Sequence, residues 1–185
     1  MPNEAKQTIF DIVKFAFITL LIVIPVRAFV AQPFIVSGES MDPTYKNGEY
    51  VVIDEFSYHF KSPQRGEVVV FRYPEDPSKF FIKRVIGLPG ETVTINQSTV
   101  TITDSSGVDL KLDETYLTTN FSYKPQKITL ASNEYFVMGD NRQSSLDSRT
   151  WGALPENLVK GRVLARLLPL TKMDLFPGYP QDFNN

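Results

Sequence analysis

The hydrophobic pattern of the chain changes character near residue 32. Before that point the apolar positions run together. "FAFITLLIVIPV", Phe15 to Val26, carries no charge, and after Arg27 the run "AFVAQPFIV" continues to Val36. A helix that crosses a bilayer needs about 20 such residues. The run reaches that length if the long stem of Arg27 lies along apolar surface and carries its charge to the headgroups. The pattern therefore predicts a transmembrane anchor over residues 12–31, preceded by a short tail, 1–11, with Pro25 and Pro33 kinking or ending the helix. A cleaved signal peptide and a buried or interfacial helix compete with this reading. Cleavage after Ala31 would leave bulky Phe29 where a small residue is wanted. Lys6 and Lys14 favour a cytoplasmic N-terminus, and hence a single-pass protein whose residues 32–185 lie outside the cytoplasm, at a plasma membrane or its thylakoid counterpart.

Beyond residue 32 the helical period is lost. Short β-branched runs alternate with turn residues: "EYVVIDEF" after Asn47-Gly48, "GEVVVFRY" after Pro63, "KFFIKRVIGL" closed by Pro89-Gly90. "ETVTI" and "STVTI" flank Asn96-Gln97 as a tight hairpin, and "YFVMGDN" and "GRVLARLLPL" complete the set. Gly and Pro fall between the runs, which predicts a mostly β domain of antiparallel sheets. The polar stretch within residues 97–130 reads as a small insert, and the tail from Phe176 as loosely ordered.

Composition narrows the chemistry. A net charge of −2 lacks the basic footprint of a nucleic-acid binder. With no cysteine there is no thiolate nucleophile or disulfide, and the single histidine, His59, excludes histidine-rich metal sites. The serine-rich turn "VSGESMDPT", Val36 to Thr44, is then the first place to look for a nucleophile, and a serine there needs a base. His59 stands among charged residues in "DEFSYHF", a setting more usual for a surface histidine. Lys83 is the other candidate. In "FFIKRVIGL", alternation puts it on one strand face with Phe81 and Val85, and burial of an ammonium lowers its pKa toward the range of a base. An edge lysine that discourages strand-to-strand aggregation would look the same. Neither S-x-x-K nor G-x-S-x-G occurs, so a Ser40–Lys83 pair must be assembled from distant segments. "MGDNRQSSLDSRTWG", Met138 to Gly152, is either a polar loop held by its own turns and ion pairs or a scaffold that orients such a lysine.

Together these segments resemble type I signal peptidase, the membrane-anchored Ser-Lys endopeptidases of peptidase family S26, in their compact single-anchor Gram-positive form. "SGESMDPT", "RGEVVVF", "FIKRVIGLPGE" and "GDNRQSSLDSRTWG" stand in the family's order and cover most of residues 35–90 and 135–152. The resemblance implies a fold of two antiparallel sheets after one transmembrane helix, with Ser40 as nucleophile and Lys83 as general base. It implies that Ser145 hydrogen-bonds the lysine, that Asp147 and Arg149 form a supporting ion pair, and that Asp140 and Arg142 belong to the same scaffold. It places the oxyanion on the Ser40 amide, with Gly38 at the position of the second donor. Phe34, Val36, Met41, Phe81 and Ile82 would line shallow pockets for the small residues at the first and third positions before the cut. The implied partners are signal peptides of secretory preproteins, the lipid bilayer and the export translocon. No metal or cofactor is implied. A self-processing Ser-Lys protease of related fold and an inactive membrane-anchored β binding module are the alternatives.

Overall fold

The computed structural model describes residues 2–25, 32–97, 99–112, 114, 116, 117, 122 and 124–179. One helix, α1 (Pro2–Pro25), precedes the strands β1 (Gln32–Ile35), β2 (Tyr50–Asp54), β3 (Val68–Tyr73) and β4 (Asp76–Gly87). Next come β5 (Thr92–Asn96), β6 (Thr99–Thr103), β7 (Asp109–Lys111) and β8 (Gln126–Thr129). The chain then forms β9 (Glu134–Met138), a short helix α2 (Ser148–Trp151), β10 (Leu154–Pro155), β11 (Val159–Leu168) and β12 (Asp174–Leu175).

These make two antiparallel sheets, as the strand pattern predicts. The larger runs β1-β2-β11-β3-β4-β9-β10, with β12 paired to β11, and the smaller runs β7-β6-β5-β8. β3 shows why its sequence is continuously apolar. Val68 and Val70 pack with Val36, Met41, Tyr45, Val51 and Ile53 on one face. Val69 and Phe71 pack with Val85, Tyr135, Val137 and Leu154 on the other. A strand covered on both faces has no polar side to show. A third core joins the small sheet, through Val93, Ile95, Val100 and Ile102, to Ile86, Phe136 and Met138 of the large one. In the β5–β6 hairpin Asn96 pairs with Thr99, so β5 extends one residue into the Asn-Gln dipeptide read as the turn.

Two expectations are corrected. Among the described residues no helix is long and apolar enough to cross a membrane, so the transmembrane anchor and the single-pass topology are not supported. The reason lies in the charge pattern of α1. Glu4, Lys6, Asp11 and Lys14 all precede Phe15, leaving an apolar stretch from Phe15 to Pro25. At 1.5 Å per residue that stretch is about 16 Å long, against about 30 Å of hydrocarbon. Residues 26–31, which the anchor needed, lie outside the described residues. The described apolar side chains of α1, including Ile9, Phe15 and Leu21, are exposed.

The second correction concerns the start of the C-terminal tail, which is docked. Phe176 N–H donates to Leu164 O (2.8 Å), Tyr45 Oη donates to Pro177 O (2.6 Å), and Arg84 Nη1 donates to Gly178 O. Gly178 has φ +72°, and a Cβ there would lie 2.2 Å from Thr44 Cγ2. Only glycine suits that conformation and that closeness. The rest of the tail, residues 180–185, lies outside the described residues.

Candidate active site

Ser40 opens the turn that follows β1. The base of this loop is closed by Val36 N–H to Glu49 O (2.9 Å) and Gly48 N–H to Val36 O (2.8 Å). Gly38 N–H donates to Asn47 Oδ1 at 3.0 Å, so this amide already has an acceptor. Lys83 comes from the middle of β4, with Val69 of β3 as its neighbour in register. It is 3% exposed. Its Nζ donates to Ser40 Oγ at 2.8 Å and to Ile82 O at 2.9 Å, and lies 5.1 Å from the Phe81 ring centre. Residues 43 positions apart in the chain thus meet at hydrogen-bond distance. Burial pulls the Lys83 pKa down to about 8, while the carboxylates of Asp147 and Asp140 push it back up. Desolvation wins because no carboxylate touches the ammonium directly.

The loop after β9 encloses this pair. Gly139 is the point of closest approach: a Cβ there would lie 2.3 Å from Ser40 O and 2.2 Å from Ser145 Oγ. Asn141 N–H donates to the same Ser40 carbonyl at 3.0 Å. Asp147 is fully buried and accepts from Gly139 N–H at 3.0 Å. It also accepts from Arg149 Nε (2.8 Å) and Nη2 (2.7 Å), so these two residues form a two-pronged ion pair. Ser145 Oγ is buried and has no hydrogen-bond partner, so a bond from it to Lys83 is not made in this structure. Asp140 and Arg142 do not pair with each other. Asp140 holds Arg84 through Nε (2.8 Å) and Nη2 (2.6 Å) and accepts from Thr44 Oγ1. Arg142 donates to Gly139 O (3.0 Å) and to Tyr116 Oη (2.9 Å) and pairs with Glu114.

Ser40 and Lys83 lie in a cleft of about 470 Å³. Phe34 of β1 and Val36 just after it form one wall, and Phe81 and Ile82 of β4 the other. Met41 does not line it: at 1% exposed, it packs in the core beneath the turn. Ser144 and Leu146 complete the rim. His59 is exposed at the end of a 3-10 turn, its Nδ1 near Glu55 O (3.2 Å), and takes no part in the cleft. Among the described residues no three carboxylates or histidines gather as a metal site.

Sequence reasoning missed Gly139, Arg84 and Leu146. Gly139 had a signal, a glycine placed directly after an apolar strand. Arg84 had a similar one, a second cation beside Lys83 in an otherwise apolar run. Leu146 had none, because its place on the rim depends on the path of the loop.

Known proteins resemble this chain along most of its length. The model of the family "Signal peptidase, peptidase S26" matches residues 9–168. A probable signal peptidase I-1 of Synechocystis sp. is 36% identical over 173 residues, spanning 90% of this chain and 86% of that protein. The signal peptidase I of Leptolyngbya laminosa is 32% identical over 179 residues, 92% of this chain and 85% of that one. Signal peptidase IB of Staphylococcus aureus is 32% identical over 190 residues, 93% and 94% of the two chains. The chain belongs to the peptidase S26 family of signal peptidases and is a membrane-associated serine endopeptidase of that family.

Proposed function

We propose that Ser40 is the nucleophile and Lys83 the general base of this endopeptidase, acting on signal peptides of exported preproteins. The observation that carries the proposal is the 2.8 Å approach of Lys83 Nζ to Ser40 Oγ inside a cleft whose burial lowers the lysine pKa to about 8. A neutral amine has a lone pair. It takes the Ser40 proton as Oγ attacks the scissile carbonyl, and the carbonyl π pair moves to oxygen. The Ser40 N–H is the donor to that oxyanion, since Gly38 N–H is committed to Asn47. As the carbonyl reforms, the C–N bond breaks and the Lys83 ammonium protonates the leaving amine. Neutral again, Lys83 takes a proton from the water that attacks the acyl-enzyme. The C–O bond to Ser40 then breaks, and Lys83 returns the proton to Oγ.

Gly139, Asn141 and the Asp147–Arg149 pair act as positioning residues. They fix the Ser40 carbonyl and the loop around it. Ser145 supplies a hydroxyl beside the pair, able to orient the amine after a rotation about χ1.

The substrate reading rests on two open strand edges. β1 ends the large sheet. Among the described residues, positions 80–83 of β4 pair with β3 alone, since β9 meets β4 only from Arg84 onward. An extended peptide laid in this gap gains main-chain hydrogen bonds, with alternate side chains facing the walls. Those walls are bulky and the pockets shallow, which suits small residues at the first and third positions before the cut. The export translocon is a partner in this reading because it delivers the preprotein from which the cleavage site emerges. Cleavage of a preprotein by the full chain in detergent tests the proposal. Ser40→Ala is expected to abolish processing, and undiminished cleavage by that variant would refute the dyad.

A further inference from the structure

The two walls of the cleft touch at one end. β1 and β4 are separated by three strands in the sheet order, yet the Phe34 and Phe80 rings meet edge to face with centres 5.5 Å apart. The sheet has therefore curled until its β1 edge faces β4, and the aromatic pair is where the curl closes. Phe80 is held from behind by Arg72, whose guanidinium lies 4.9 Å from the ring centre and also donates to Pro77 O at 2.7 Å. Even so, Phe80 is 42% exposed, and it lines the same cleft as Ser40. A large ring fixed on both sides and left open to solvent is an apolar contact with one face unused.

We propose that Phe80, with Phe34 beside it, forms an apolar subsite for the fourth or fifth substrate residue before the scissile bond. The inference rests on the reading of the cleft given above. The side follows from Phe34, a wall of the pockets proposed for residues before the cut and in contact with Phe80, and the distance from strand geometry. Phe80 is three residues from Lys83 on β4, about 10 Å at 3.3 Å per residue, and a peptide alongside advances by the same step. Beyond the small residues near the cut, a signal peptide continues into its apolar segment. The residue that reaches Phe80 is therefore the downstream end of that segment, and an aliphatic or aromatic side chain there covers the exposed ring. Such a subsite lets the enzyme register where the apolar segment ends relative to the cut, which the shallow pockets near Ser40 cannot do.

The test uses the full chain in detergent micelles and synthetic peptides that differ only at the fourth and fifth positions, Leu against Ser. The wild type is expected to favour Leu in kcat/KM by about tenfold, the order of a partly buried leucine side chain. Phe80→Ser is expected to erase that preference while the preference for alanine over leucine at the first position remains. Phe80→Leu should retain most of it, since it keeps an apolar surface. Equal Leu-to-Ser ratios in wild type and Phe80→Ser would overturn the subsite. Failure of the underlying reading looks different: cleavage would then be insensitive to Ser40→Ala in every peptide, before Phe80 is altered.

Discussion

Lys83 and Arg84 are consecutive residues on one strand, both buried, and they do opposite things. Arg84 faces the Tyr45 side of the sheet and is fully compensated. Asp140 takes two of its N–H groups, Gly66 O accepts at 2.8 Å, and Gly178 O accepts as well. Lys83 faces Phe81 and Val85 and has two neutral acceptors and no carboxylate in contact. The same burial therefore keeps Arg84 charged and loosens the proton on Lys83. A buried cation surrounded by acceptors is structure, whereas one denied a counter-ion becomes a base. Arg84 links the C-terminal segment, the Ser40 turn through Thr44, and the start of the 139–149 loop, so it builds the frame around Lys83.

The contrast can be broken by exchanging what each cation supplies. Lys83→Arg should cost the most. A guanidinium stays protonated at any working pH, so cleavage by the folded variant should fall at least about 10³-fold, and the thermal midpoint should drop because the site offers that charge no counter-ion. Arg84→Met leaves Asp140 buried and unpaired. It should lower unfolding stability by about 3–5 kcal/mol in a urea titration, with activity lost in proportion to unfolding. A small stability change there would show that the buried Asp140 is tolerated without the guanidinium.

Lys83→Met sharpens the contrast with an effect of the opposite sign. The folded-state pKa of Lys83 lies near 8, below the ordinary 10.5. The unfolded chain thus binds more protons between those values, and stability rises with pH across that window. Below pH 8 the folded protein bears the full cost of a desolvated ammonium. Lys83→Met removes that cost and should stabilise the inactive protein by about 2–3 kcal/mol at pH 7, with the gain shrinking toward pH 10.5. An equal or lower stability at pH 7 would contradict a depressed lysine. His59→Ala gives the smallest effect: an exposed side chain outside the cleft should change stability by less than about 0.5 kcal/mol and leave cleavage within twofold.

Much of the site was readable from residue types, because chemistry restricts them. With no cysteine and one histidine, a serine nucleophile has few possible bases, and a lysine in an apolar strand is the one that burial activates. The strands announced themselves through β-branched runs bounded by Gly and Pro. What sequence could not show were features fixed by tertiary approach. Asp140 lies two residues from Arg142 yet pairs with Arg84, because the loop after β9 crosses beside β4. Met41 adjoins Ser40 but points into the core, because the turn beginning at Ser40 directs it inward. The tail from Phe176 looked unstructured because its anchors are main-chain carbonyls, which leave no mark in side-chain composition. The apolar run near the N-terminus makes one spanning segment only if Arg27 snorkels. The described helix instead carries its charged residues up to Lys14 and is too short in its apolar part.

The most direct test of the central claim is the pH dependence of kcat/KM for preprotein cleavage by the wild-type chain. With Lys83 as the base, activity should rise through a single ionisation near pH 8 and hold above it. That limb should be unchanged in His59→Ala. An ascending limb that disappears in His59→Ala, or activity that begins only near pH 10.5, would contradict the account.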